Sequence, residues 1–186
     1  NLGEEVMIKG TPEKEWIELD VLVENLGRVN YGFKLNGPTQ VKGIRGGIMQ
    51  DIHFHQGYRQ YALTLSADQL KKIDYTAGKN PAQPSFYQAE FTLTDLADTF
   101  IDCRSYGKGV VIVNGINLGR YWQRGPIHSL YCPKEFLKKG TNEIVIFETE
   151  GIEINELIFC GQPIVKKLLT NDFSEIGSNI HNHIDS

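Results

Sequence analysis

The sequence predicts an all-β protein, a β-sandwich of jelly-roll type with one short helix. Apolar residues recur with period two through most of the 186 residues, the spacing of half-buried strands. Between these runs stand clusters of Gly, Pro and Asn, the residues that tight turns require. Only one stretch carries a helix start signal followed by apolar residues on one face. Many short strands punctuated by turns argue a sandwich.

The elements follow in order. Ile17, Leu19, Val21 and Val23 share one face of a first strand, with Glu18, Asp20 and Glu24 on the other, and Asn25 to Gly27 ends it. Tyr31, Phe33 and Leu35 form a second set, closed by Asn36-Gly37-Pro38; Ile48, Ile52 and Phe54 form a third, and Tyr61, Leu63 and Leu65 a fourth. Ser66-Ala67-Asp68-Gln69 fits a capping box, and Leu70 and Ile73 are spaced for one face of a short helix. Thr76 to Ser85 carries two prolines, a glycine and no apolar bulk, the composition of a linker. The chain therefore divides into a first sandwich over 1–75, a linker over 76–85, a second sandwich over 86–165, and a polar, weakly ordered tail over 166–186.

Strands resume after the linker. Tyr87, Ala89, Phe91 and Leu93 alternate, and Thr99 to Cys103 follows. Val110 to Val113 is an unbroken apolar, β-branched run, the pattern of a strand covered on both faces. Asn114-Gly115 tolerates the positive φ of a two-residue hairpin turn, and Gly119 permits a bend before Arg120-Tyr121-Trp122. A compact connection from Cys132-Pro133 to Gly140 leads to a strand at Ile144 to Thr149 and a last one at Leu157 to Phe159.

Composition excludes several functions. With 19 Lys+Arg against 23 Asp+Glu, the net charge is −4, so no basic footprint for nucleic acid is present. No stretch approaches the roughly 20 apolar residues of a membrane-spanning helix, and the first residues lack a signal-peptide core, although the sequence starts at Asn1 without Met. Cys103, Cys132 and Cys160 are an odd number with no Cys-x-x-Cys pair. Buried free thiols in a reducing, cytoplasmic compartment are the expectation.

Sugar hydrolysis needs two carboxylates about 5 Å or 6.5–9.5 Å apart. Asp51, Asp95, Asp98, Asp102, Glu148, Glu150 and Glu153 are the available acids, each on a polar strand face or at a turn. Solvated or capping carboxylates are the usual occupants of such positions, so no catalytic residue is assigned. His53 and His55 share a strand face, and His181 and His183 repeat the spacing in the tail. Two ligands without a third do not define a metal site, and no metal or cofactor is expected. The aromatic residues Trp16, Tyr58, Tyr61, Tyr87, Tyr106, Tyr121, Trp122 and Tyr131 offer flat faces on which sugars stack. Trp16, Arg120, Tyr121 and Trp122 are the candidate carbohydrate-binding residues. In the competing reading, Tyr121 and Trp122 plug the base of the sandwich while Arg120 pairs with an acid or caps carbonyls.

Two segments carry a resemblance. Leu22-Val23-Glu24-Asn25-Leu26-Gly27-Arg28-Val29-Asn30-Tyr31-Gly32 and Asn114-Gly115-Ile116-Asn117-Leu118-Gly119-Arg120-Tyr121-Trp122 resemble the β-galactosidases of glycoside hydrolase family 35. So do Phe86-Tyr87, Asp98-Thr99-Phe100, Gly107-Lys108-Gly109, Gly125-Pro126, Leu130-Tyr131 and Asn142-Glu143-Ile144, in the family's order from about residue 20 to 150. Tyr106, where Trp is expected, and Ile127-His128 depart from the pattern. The resemblance implies galactose-binding-like jelly-roll domains, with the first sandwich reduced to remnant strands of a longer one. It also implies a retaining parent enzyme whose two catalytic glutamates lie on a (β/α)8 barrel. Such a barrel takes roughly 250 residues and has no place in this chain, and no segment here matches the catalytic motifs.

On that resemblance the chain is a non-catalytic C-terminal region of a β-galactosidase. It would support the barrel, the active-site rim or the oligomer, and be inactive alone. Its implied partners are the barrel of the same parent chain, galactosides and a second copy, with no nucleic acid and no membrane. The alternatives are an autonomous carbohydrate-binding module and a complete small enzyme.

Overall fold

A computed structural model describes residues 13, 16–25, 27–44, 46–50, 52–76, 78 and 82–166. The expected tail, Asp51, His181 and His183 lie outside the described residues, save Lys166 of the tail. The chain separates into two compact units, residues 1–62 and 63–186.

In the first unit, β1 (Met49–Gln50) pairs antiparallel with β2 (His53–Phe54), Met49 opposite Phe54. Arg28 and Val41 form an isolated bridge. The strands expected around Ile17–Val23 and Tyr31–Leu35 have no ladder among the described residues. Tyr31 and Phe33 are 91% and 97% exposed, in bends and turns that precede a 3-10 turn at Pro38–Gln40. The reason is local. Alternation marks residues that suit a strand, but a ladder needs a neighbour whose N–H and C=O groups are in register. Here the Tyr31–Leu35 segment turns back on itself, the Gly37 N–H donating to the Lys34 carbonyl (2.6 Å), while the residues on either side of it close on one another. The Gly27 N–H donates to Asn25 Oδ1 (2.8 Å), the Lys42 N–H to the Gly27 carbonyl (2.6 Å) and the Val29 N–H to the Gln40 carbonyl (3.1 Å).

The second unit is a two-layer antiparallel sandwich, as the sequence predicts. Among the described residues one sheet has the order β3-β8-β5-β6 and the other β7-β4-β9. The strands are β3 (Ser85–Leu93), β4 (Thr99–Asp102), β5 (Lys108–Val113), β6 (Ile116–Trp122), β7 (Ser129–Cys132), β8 (Gly140–Glu148) and β9 (Phe159–Cys160). Strand β7, not anticipated as a strand, pairs with β4, Thr99 opposite Cys132. The last strand falls one or two residues later than its apolar run suggests. Between the layers lie Ile101 and Cys132 from one sheet and Val111, Val113, Tyr121, Ile144 and Ile146 from the other.

The opposite face of the larger sheet is also covered. A short helix α1 (Ala67–Leu70) begins at Ser66, whose hydroxyl accepts from the Gln69 N–H (3.4 Å). Gln69 Oε1 reaches back to the Leu65 N–H (2.9 Å) and the Thr64 hydroxyl (2.9 Å), a variant of the expected capping box. Leu70 packs with Ile112 and Val145, and Leu65, Ile73, Tyr75, Phe86 and Val110 surround them. This strap explains why Val110–Val113 is apolar at every position: odd residues face the core and even ones face the strap.

Candidate functional site

The hairpin between β5 and β6 fixes where the candidate aromatic residues go. Asn114 (φ 49°) and Gly115 (φ 78°) make its two-residue turn, with Val113 opposite Ile116, as the positive φ of both turn positions requires. Beyond the turn the register slips, because Val111 faces Gly119 while Ile112 faces Asn117. Gly119, at φ 124°, accommodates the extra residue of this bulge.

After the bulge, Arg120 is exposed, Tyr121 is buried and Trp122 is half-buried. Tyr121 meets Tyr106 edge-on, with ring centroids 5.5 Å apart, and presents no ring face to solvent. Burial pushes its hydroxyl well above the usual tyrosine range, and the charge of Glu148 adds to that. The Trp122 ring is ringed by cations: Lys108 Nζ at 5.5 Å, the Arg120 guanidinium at 5.5 Å and that of Arg124 at 5.2 Å, all within cation–π range. Its Nε1 is buried and has no hydrogen-bond partner among the described residues. Trp16 is exposed in the first unit.

The carboxylates do structural work. Glu148 is fully buried, and its Oε1 accepts from the Lys108 N–H (3.0 Å) while Oε2 accepts from those of Ile152 (2.7 Å) and Glu150 (3.1 Å). Asp102 grips Arg104, Oδ2 to Nη2 at 2.6 Å and Oδ1 to the backbone N–H at 3.0 Å. Those hydrogen bonds hold its carboxyl below the usual carboxylate range. Asp98 accepts from the Lys134 N–H (3.0 Å), which likewise lowers it. Asp95 meets Lys139 (3.3 Å) and Glu150 meets Gln123 (3.1 Å). Among the described residues no three His, Cys, Asp or Glu side chains gather as a metal set. Cys103, Cys132 and Cys160 are free thiols.

A cleft opens where the strap ends. It has a volume of about 230 Å³ and is lined by Leu70, Lys71 and Tyr75 from the strap and by Gln88, Asn114 and Glu143 from the sheet. Gln88 Nε2 donates to Glu143 Oε2 (2.8 Å), and the Glu143 N–H donates to Asn114 Oδ1 (3.1 Å). Asn114 Nδ2 is held by the Phe136 carbonyl (2.8 Å) and by Asn142 Oδ1 (2.8 Å). The Tyr75 hydroxyl donates to the Leu70 carbonyl (3.2 Å), and burial, then the Glu143 charge, raises its pKa. Sequence reasoning placed Leu70 on a helix face, Asn114 in a turn and Glu143 in a family-like segment, but did not join these residues into one site. They are far apart along the chain, and strand register together with the packing of the strap brings them together.

Comparison with known proteins gives a consistent picture. The family model described as "Beta-galactosidase, first all-beta domain" matches residues 3–72, and "Beta-galactosidase, galactose-binding domain" matches residues 84–142. The chain is 38% identical over 156 residues to "Beta-galactosidase 1" of Dictyostelium discoideum, covering 78% of this chain and 22% of that protein. It is 34% identical over 135 residues to "Beta-galactosidase-1-like protein 2" of Homo sapiens, covering 70% and 21%. It is 31% identical over 196 residues to "Beta-galactosidase" of Bos taurus, covering 90% and 30%. The chain thus spans about a fifth of the length of the first two of these relatives and under a third of the third.

Proposed function

Because this chain belongs to the β-galactosidase family, as the stretch carrying its first all-β and galactose-binding domains, we propose that it is the non-catalytic accessory region of a β-galactosidase. In this reading the parent releases terminal β-galactose with retention, using two glutamates on a barrel in the same parent chain. The present region supports that barrel, its active-site rim or the oligomer.

One observation carries the reading: the two non-catalytic domain models match in series and account for most of the chain. The carboxylates add support, since Glu148, Asp102 and Asp98 are each engaged in holding backbone or a neighbouring cation. So does the first unit, which exposes Trp16, Ile17, Leu19, Val21 and Val23, a surface suited to packing against further protein. Incubating the purified chain with a chromogenic β-galactoside tests the proposal. No turnover is expected, and turnover by the chain itself would overturn it.

A further inference from the structure

At the end of the larger sheet away from the cleft, the outer face carries a cluster that the accessory reading does not use. Register sets Lys108 opposite Trp122 and Arg120 opposite Val110. Val110 packs against the strap, so Lys108, Arg120 and Trp122 share that outer face. Lys108, Arg120 and Arg124 place their charges 5.2–5.5 Å from the centre of the Trp122 ring. We propose that this face is the docking surface for the acidic segment 172–175 of the stretch that follows Lys166 in the same chain.

Charge comes first. Three like charges around one ring repel one another, and the acids nearest in the fold are committed elsewhere. Glu148 accepts from three backbone N–H groups, Glu150 from Gln123 (3.1 Å), and Asp74 of the strap from Thr76 (2.6 Å). The Arg124 guanidinium makes no hydrogen bond or ion pair among the described residues. Residues 167–186 bring Asp172, Glu175 and Asp185 against one cation, Lys167.

The unmet donor comes second. Trp122 is half-buried, yet its Nε1 is buried without a hydrogen-bond partner among the described residues. Buried donors are normally matched, and a carboxylate is a strong acceptor for one.

Position comes third. Val165 bridges to Ile127, and the Lys166 N–H donates to the Pro126 carbonyl (2.8 Å). A methyl group on Gly125 would lie 3.5 Å from Lys166 Cβ, and the Gly125 N–H donates to the Trp122 carbonyl (2.9 Å). The chain therefore leaves the sandwich beside the cluster. Asp172 is six residues beyond Lys166, a reach of at most about 20 Å. The shorter closure favours Asp172 and Glu175 over Asp185, and Phe173 between them offers a ring to the indole.

The test follows the Trp122 indole N–H by ¹H–¹⁵N NMR, with Trp16→Phe telling its signal from that of Trp16. Ending the chain at Lys166, or combining Asp172→Asn with Glu175→Gln, should move the Trp122 signal. Each should speed exchange of this N–H with solvent about threefold or more, the scale of losing two exposed ion pairs. Arg124→Gln should do the same, and Asp185→Asn should not. Roughly 0.5 M NaCl should reproduce the change in the parent by screening, and leave the shortened chain unaltered. If the shortened chain loses the dispersed amide signals of β5 and β8, the charge variants decide alone. Three results would overturn the proposal: a Trp122 signal indifferent to the charge variants, an equal effect of Asp185→Asn, or a parent signal that varies with protein concentration. The last would assign the surface to a second copy. None of them touches the accessory reading, which turnover decides.

Discussion

Glu148→Gln measures what holds the second sandwich to its last segment. Glu148 ends β8 with no solvent exposure, and its two oxygens accept from three backbone N–H groups. Lys108 is reached at 3.0 Å, Ile152 at 2.7 Å, and Glu150 by both oxygens at 3.1 and 3.3 Å. These bonds turn the chain after β8 towards Ile154 and Leu157, which pack on the core. Glutamine keeps the shape but replaces one acceptor oxygen with a donor, so at least one buried N–H faces an NH2 group. Losing a charge-assisted bond costs about 1.5–3 kcal/mol, and leaving the N–H unsatisfied adds about 1–3 kcal/mol. Glutamine is cheaper to bury than a carboxylate, which offsets part of this. A net loss of about 3 kcal/mol follows, or about 6–12 °C in Tm for a chain of this length. Thermal and urea unfolding followed by circular dichroism give the number, and amide exchange at Ile152 gives the location. A Tm within about 2 °C of the parent, with Ile152 still protected, would refute the reasoning. It would mean that the desolvation of the carboxylate cancels its hydrogen bonds.

Two further outcomes follow from titratable groups. Burial, then the charge of Asp102, pushes the Cys103 thiol up to about 12, so at pH 8 a thiol reagent should label half-buried Cys160 before Cys103. Equal labelling in the native chain would contradict this. Because the folded value exceeds the unfolded ~8.5, the Cys103 contribution is intact below that pH and is lost as pH rises towards 12. Asp102 behaves in the opposite sense: its hydrogen bonds to Arg104 depress its pKa. Its contribution is therefore present above the unfolded ~3.9 and disappears as pH falls through the lower folded value. Asp102→Asn should flatten the acid limb of a stability–pH curve below about pH 4. An unchanged limb would refute the assignment.

What the sequence made legible depended on whether a pattern had one physical cause. The Asn114-Gly115 turn follows from φ preference alone, and the structure forms it where expected. Strand β7 was not legible, because Ser129–Cys132 is short and only two of its four residues are buried. Its pairing with β4 comes from tertiary placement. In the first unit, Tyr31, Phe33 and Leu35 alternate as strands do, yet the chain there runs through bends and turns, closed by the Gly37 N–H on the Lys34 carbonyl. The cleft was invisible for a different reason. Lys71, Tyr75, Gln88, Asn114 and Glu143 share no motif, and each reads singly as an ordinary surface polar or turn residue.

The hairpin and the cleft nevertheless share an origin. Along the outer face of the larger sheet, β5 presents Val110, Ile112 and Asn114, β8 presents Phe147, Val145 and Glu143, and β3 presents Phe86 and Gln88. The registers Val110–Phe147, Ile112–Val145 and Phe86–Phe147 tie these rows together. Under the strap the rows are apolar, with Phe86 stacked on Phe147 at 4.2 Å. Beyond the cover that Leu65, Leu70, Ile73 and Tyr75 provide, the rows turn polar at Asn114, Glu143 and Gln88. The same covering element thus requires Val110–Val113 to be apolar on both faces and sets the edge at which Asn114, Glu143 and Gln88 converge. A buried strand that ends in an asparagine turn fixes the cleft's position. The polarity of the cleft's floor is decided by the side chains that register places beside it.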